Sequence, residues 1–182
     1  MTSRGRAAEG CVAAAGALGI ALVLATRAEL AIALGLPLVA LLVWITLTDL
    51  SQRVIPNRLL LVAIAAGALI AFIGAPESLP ARALAAGAAG AFFGGLALAH
   101  PGGMGMGDVK LAAVMGWFLV TAVVPALAIA FLLGGVLGLA LLIRRGPAAA
   151  GLAIPFGPFL AVGGISSLLI GNQVVDWYLA RL

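Results

Sequence analysis

Long apolar runs separated by short polar links restrict, more than any other feature, the folds open to this chain. They fall at about 11–26, 30–48, 59–75, 83–99, 111–123, 124–143 and 149–171. A helix that spans a bilayer needs about 20 mostly apolar residues, and in hydrocarbon each backbone polar group must be satisfied inside its own segment. The runs therefore predict an all-α fold, a polytopic transmembrane helix bundle of six to seven spans. The number turns on 111–143, where Thr121 and Pro125 mark the break: one kinked helix gives six spans, two helices give seven. Composition agrees, since 64% of residues are hydrophobic and 9% charged, with a mean hydropathy of +1.26, whereas soluble domains carry about a quarter charged residues. Spans and short links use up all 182 residues, so the expectation is a single transmembrane domain over 1–182 with no sizeable soluble part.

The charges that remain report orientation. The net charge is +4, but the ten basic residues are scattered singly or in pairs and form no stripe of the kind that binds nucleic acid, so no nucleic-acid partner is expected. With the N-terminus in the cytoplasm, Arg4, Arg6, Arg53, Arg58, Lys110, Arg144 and Arg145 fall inside and Arg27, Arg82 and Arg181 outside, seven against three. The excess of Lys and Arg on the inner side favours that arrangement. It also brings Asp49, at the end of the second run, and Asp108, at the start of the fifth, to the same cytoplasmic side. The other acids, Glu9, Glu29, Glu77 and Asp176, lie in tails, short loops or the last segment.

Several familiar site types are excluded. One cysteine, Cys11, permits neither an internal disulfide nor a CxxC site, and it is expected to be a small buried residue. His100 has no His or Cys partner at ligand spacing, so no metal and no cofactor are expected. The first run follows Arg4 and Arg6 but leads through Arg27 and Glu29 straight into another apolar run, with no cleavage region between, and is read as a retained span. Trp177 and Tyr178 stand beside charges in a tail expected to lie along the outer surface. Small residues four apart, Gly87/Ala91, Gly90/Gly94 and Gly134/Gly138, predict close helix packing in lipid.

Two stretches break the apolar pattern in a way that suggests chemistry. In Gly102-Gly103-Met104-Gly105-Met106-Gly107-Asp108-Val109-Lys110, four glycines in six residues free the backbone to turn sharply beside Asp108. Asp108 is then either the N-cap of the next helix or an acid placed at a membrane boundary for chemistry. The other stretch, Asp49-Leu50-Ser51-Gln52-Arg53-Val54-Ile55-Pro56-Asn57-Arg58, holds a proline that biases Ile55 away from helical angles. One helix should end near Asp49 and the next begin after Asn57. Read alone, it is an ordinary polar turn with Asp49, Ser51 and Asn57 solvated.

Together the two stretches resemble the type IV prepilin peptidase family of intramembrane aspartic proteases: an aspartate followed by Ile55-Pro56-Asn57, then Gly105-x-Gly107-Asp108-Val109-Lys110. The run Ile154-Pro155-Phe156-Gly157-Pro158-Phe159-Leu160-Ala161 is similar to that family's last span. The resemblance implies Asp49 and Asp108 as the catalytic pair and a pilin-like precursor, a prepilin or pseudopilin, as substrate, cut at the cytoplasmic face of the plasma membrane. The chemistry accounts for two carboxylates. Sharing a site, they repel, so one keeps its proton while the other is ionised, and the pair titrates as a unit. The ionised acid deprotonates a water and the protonated one polarises the scissile carbonyl, with no covalent intermediate. Gly105 and Gly107 would let a substrate backbone pass, Ile55, Pro56 and Asn57 would shape the approach, and Lys110 would either tune Asp108 or serve as an interfacial lysine. Many members of that family carry an inserted cytoplasmic domain with paired CxxC motifs linked to N-methylation. With its single cysteine this chain resembles the short, peptidase-only form.

Two other classes compete. A channel or transporter would use Asp49 and Asp108 as ion sites, but such acids usually sit near mid-span or in repeats with interrupted helices. A non-catalytic assembly protein would need Asp108 only as a cap. A dinucleotide site at Gly103-x-Gly105 lacks the preceding strand.

Overall fold

The computed structural model describes residues 3–26, 30–100, 103–146 and 154–181. Gly102, Arg27, Glu29 and 149–153, on which some expectations fell, lie outside the described residues. Seven α-helices follow one another among the described residues: α1 (Ser3–Thr26), α2 (Leu30–Gln52), α3 (Asn57–Gly74), α4 (Leu79–Ala99), α5 (Met106–Leu119), α6 (Val123–Arg145) and α7 (Gly157–Leu179). Short 3-10 turns at Pro76–Ser78 and Val120–Ala122 join α3 to α4 and α5 to α6, and no strand occurs among the described residues. The helical polytopic bundle is as the apolar runs require.

Among the described residues, five stretches are long and apolar enough to cross a membrane, namely Ile32–Gln52, Asn57–Gly74, Pro76–Ala99, Met106–Arg145 and Gly157–Leu179. The fourth is not one kinked helix. Gly116 of α5 lies against Ala85 and Ala86 of α4, and Gly90 against Ala113, so α5 runs antiparallel to α4. Phe131 of α6 packs beside Phe92 and Phe93, further along α4, so α6 returns in the opposite direction. The reversal is local in origin: Val120 has φ 52, a value costly for a β-branched residue and incompatible with continuing the helix.

Helix α5 forms the middle of the bundle. Leu111, Ala112, Val114, Met115, Gly116, Phe118 and Leu119 are all buried, and a helix apolar on every side belongs in a core. Around it Leu38, Leu41, Leu42 and Ile45 of α2, Phe93 of α4 and Leu160 of α7 are fully buried. Helix α1 packs on α2 and α3, with Ala8 and Val12 buried. Leu61, Leu84, Leu98 and Ile143 point outward, as a surface facing lipid tolerates.

Close approach depends on glycines that motif spacing did not pick out. A Cβ at Gly116 would stand 2.5 Å from the Ala85 carbonyl oxygen, one at Gly163 would collide with the Ala126 carbonyl, and one at Gly67 would lie 2.5 Å from the Phe118 ring. Of the pairs marked by sequence, Gly90 and Gly94 face α5 and Gly134 faces Phe156, whereas Gly87 and Gly138 look into open space. Two further expectations are corrected. Cys11 is exposed rather than buried, because it lies on the outer face of α1. The tail with Trp177 and Tyr178 is no separate surface segment: α7 continues through Leu179, both aromatics are exposed, and Arg181 stacks on the Trp177 ring at 3.7 Å.

Candidate active site

Helix α2 runs past Asp49 to Gln52, slightly further than the proline suggests, and stops where Arg53 takes φ 54 with its amide bonded to the Asp49 carbonyl at 2.9 Å. Pro56 then caps α3, whose first residue is Asn57. Asp49 is therefore a helical residue in the last turn of α2, and at 6% exposure it is not the solvated loop acid of the ordinary-turn reading.

A buried carboxylate needs a partner. It comes from far along the chain: the Gly157 amide donates to Asp49 Oδ2 at 2.9 Å across a separation of 108 residues. Gly157 opens α7, and the first amides of a helix have no acceptor within it, so one bond satisfies two groups. The positive end of the α7 dipole also points at the carboxylate. Only glycine fits there, because a Cβ at 157 would stand 2.7 Å from Asp49 Oδ2. The start of α7 is held by the neighbouring ring of Phe156, with centroids 5.6 Å from Phe131 and 6.2 Å from Phe93.

Asp108 arrives on α5. The N-cap is Gly105, and Asp108 is the third helical residue, its amide bonded to the Gly105 carbonyl at 3.0 Å and its carboxylate accepting from the Gly105 backbone amide. Asp108 is therefore not the N-cap residue itself: the backbone turn at Gly105 starts the helix, and the carboxylate reaches back to it from the third position. The glycines divide the work around it. A Cβ at Gly105 would sit 3.2 Å from Asp108 Oδ2, whereas one at Gly107 would sit 2.9 Å from Ile55 Cβ. Gly105 thus clears space beside the acid and Gly107 seats the α2–α3 loop. Neither has a positive φ; among the described residues Gly146 is the glycine that does.

The half-buried Asp108 carboxylate lies within electrostatic range of Asp49. Lys110 does not bond Asp108: its Nζ donates to Asn57 Oδ1 at 3.0 Å, tying α5 to the start of α3. One end of the bundle therefore gathers Asp49, Ile55, Pro56, Asn57, Gly105, Gly107, Asp108 and Lys110. Sequence reasoning missed Gly157 as a member of this site, although a glycine between Phe156 and Pro158 at a helix start was its visible signal. His100 ends α4 and is exposed, and no three His, Cys, Asp or Glu side chains among the described residues group as a metal site.

Fold and site together define a helical membrane protein with two carboxylates drawn to one end of its bundle. The chain belongs to the type IV leader peptidase family, whose sequence pattern matches residues 36–143. It is 32% identical over 142 residues to a prepilin leader peptidase/N-methyltransferase of Bacillus subtilis (strain 168), covering 78% of this chain and 57% of the relative. Its identity to the Aeromonas hydrophila protein of the same name is 32% over 146 residues, 77% of this chain and 50% of the relative. A Xanthomonas campestris relative, also so named, is 44% identical over 78 residues, 42% of this chain and 27% of its own length. The chain thus spans about half the length of the first two. No solved structure matches it.

Proposed function

We propose that this chain is an intramembrane aspartic endopeptidase that removes the leader peptide of prepilin-like precursors, with Asp49 and Asp108 as its acid–base pair at the cytoplasmic face. Family membership and the names of the relatives support the substrate class. The aspartic mechanism is carried by one observation: Asp49 is buried on a single amide bond while a second carboxylate stands within its electrostatic reach. Two like charges in a membrane-flanked site oppose folding, and a merely structural arrangement has no use for them. As a pair they divide the labour of peptide hydrolysis, one activating water and the other polarising the carbonyl. Beside them a groove of about 480 Å³ runs from Asn57 and Lys110 onto the apolar faces of Leu60, Leu61 and Ile64. It would receive the apolar segment of a precursor entering from the bilayer.

Co-expression with pilin-like precursors tests this reading. Leader removal, read by gel shift and mass, should occur with the native chain and cease in Asp49→Asn and in Asp108→Asn. Full processing by a stably inserted Asp108→Asn would refute it.

A further inference from the structure

The end of the bundle opposite the aspartates holds a second buried charge that the proposed chemistry does not use. Arg82, in the first turn of α4, is 6% exposed. Its Nε donates to Ser78 Oγ at 2.9 Å, and its Nη1 donates to the carbonyls of Trp117 at 3.0 Å and Phe118 at 3.3 Å. A guanidinium has five N–H donors, so these bonds leave Nη2 without a partner among the described residues. Glu77 and Asp176, the described carboxylates of this end, are exposed, and no bond of Arg82 reaches them.

Arg82 lines a cavity of about 580 Å³ among the starts of α2 and α4, the α5–α6 turn and α7. Thr121 and Asn172 bring polar side chains to its wall, and Leu30, Leu119 and Leu168 make it apolar elsewhere. The α5–α6 turn that lines it ends a short helix: the 14 residues of α5 rise about 21 Å, against a hydrocarbon thickness of about 30 Å. Arg82 lies only three residues into α4, about 4–5 Å along its axis, so a span that begins with α4 would hold it near the headgroup end of the hydrocarbon layer. A desolvated cation without a counter-charge is unfavourable, and a planar guanidinium edge suits phosphate oxygens.

We infer that this cavity is a phosphate-binding site, taking the headgroup phosphate of a phospholipid from the leaflet opposite the aspartates, with Arg82, Thr121 and Asn172 as donors and the apolar wall against the glycerol end. The occupied site holds the far end of α5, whose last carbonyls Arg82 already binds.

The test uses the whole chain, purified in neutral detergent and stripped of lipid. Short-chain phosphatidylglycerol should raise its melting temperature and stay attached in native mass spectrometry, and a diacylglycerol of the same chain length should do neither. Because Arg82→Gln also loses the bonds to α5, the deciding variant is Thr121→Val/Asn172→Leu, which leaves those bonds intact. It should bind phosphatidylglycerol about tenfold more weakly. If inorganic phosphate alone reproduces the stabilisation, the site stands and its ligand is the free ion. Equal effects of diacylglycerol and phosphatidylglycerol, or unchanged affinity in the double variant, would overturn the proposal. Glu29 precedes Leu30 in sequence, so tighter lipid binding by Glu29→Gln would also overturn it, by revealing an internal counter-charge.

Discussion

The bundle buries a charge at each end and treats the two in opposite ways. Arg82 meets a hydroxyl and two helix-terminal carbonyls, acceptors that suit a cation and finish α5 where Val120 turns it back. Asp49 accepts one amide bond and lies within electrostatic reach of a second acid. The acceptors around Arg82 suit its charge, whereas the second acid works against that of Asp49. A group whose surroundings oppose stability is retained for another task, and that contrast supports chemistry at one end and structure at the other more firmly than the spacing of either motif.

The largest effect should come from the acids. Asp49→Asn and Asp108→Asn each keep size and hydrogen-bonding capacity but remove the ionisable group, and each should slow precursor cleavage by about 100- to 10,000-fold with the melting temperature unchanged or raised. The double variant should be little worse than either single one, because the pair acts as a unit. Strictly additive losses measured by timed gel assay would break the comparison.

Gly157→Ala sharpens it. A Cβ standing 2.7 Å from Asp49 Oδ2 must displace that carboxylate, so cleavage should fall about 10- to 100-fold, the scale set by misplacing a catalytic group by about 1 Å. Gly107→Val should also impair cleavage, by pushing Ile55 and its loop away rather than through any backbone constraint at 107. At the other end the order of effects is reversed. Arg82→Gln should destabilise the protein by about 2–4 kcal/mol through unsatisfied carbonyls at the end of α5, while the turnover of the molecules that remain folded stays near native. A loss of turnover at full stability would erase the distinction between the ends. The smallest effect is expected of Gly87→Ala, where a Cβ meets nothing within 4 Å; thermal unfolding should move by no more than about 0.5 kcal/mol.

What the sequence made legible follows from how far apart the interacting residues lie. Helix identity rests on apolar runs, a local property, and the break at Thr121 between α5 and α6 could be located from residues beside it. Asp49 and Asp108 stand out because an acid at the margin of an apolar run is rare enough to notice. Whether Asp108 caps its helix was not legible, since the choice between Gly105 and Asp108 as N-cap depends on backbone angles. Gly157 and Arg82 escaped notice for a deeper reason. Each acts on a partner brought close only by tertiary packing, Asp49 across 108 residues and Trp117 across 35. Arg82 looks in sequence like any other basic residue near a run's end, and its burial becomes visible only once α5 is seen to stop short. The same distance effect separates Gly116 and Gly163, pressed against backbone carbonyls, from Gly87, which fits the small-residue spacing and touches nothing.

The bond between Gly157 and Asp49 has a consequence for the life of the molecule. Asp49 lies on α2 and Asp108 on α5, but the amide that receives Asp49 belongs to α7, which leaves the ribosome after both. A nascent chain already holds both acids while its site still lacks a wall. On the proposed reading, cleavage must wait until synthesis has passed Gly157 and α7 has docked, which would keep a half-made copy from acting on precursors being inserted into the same membrane.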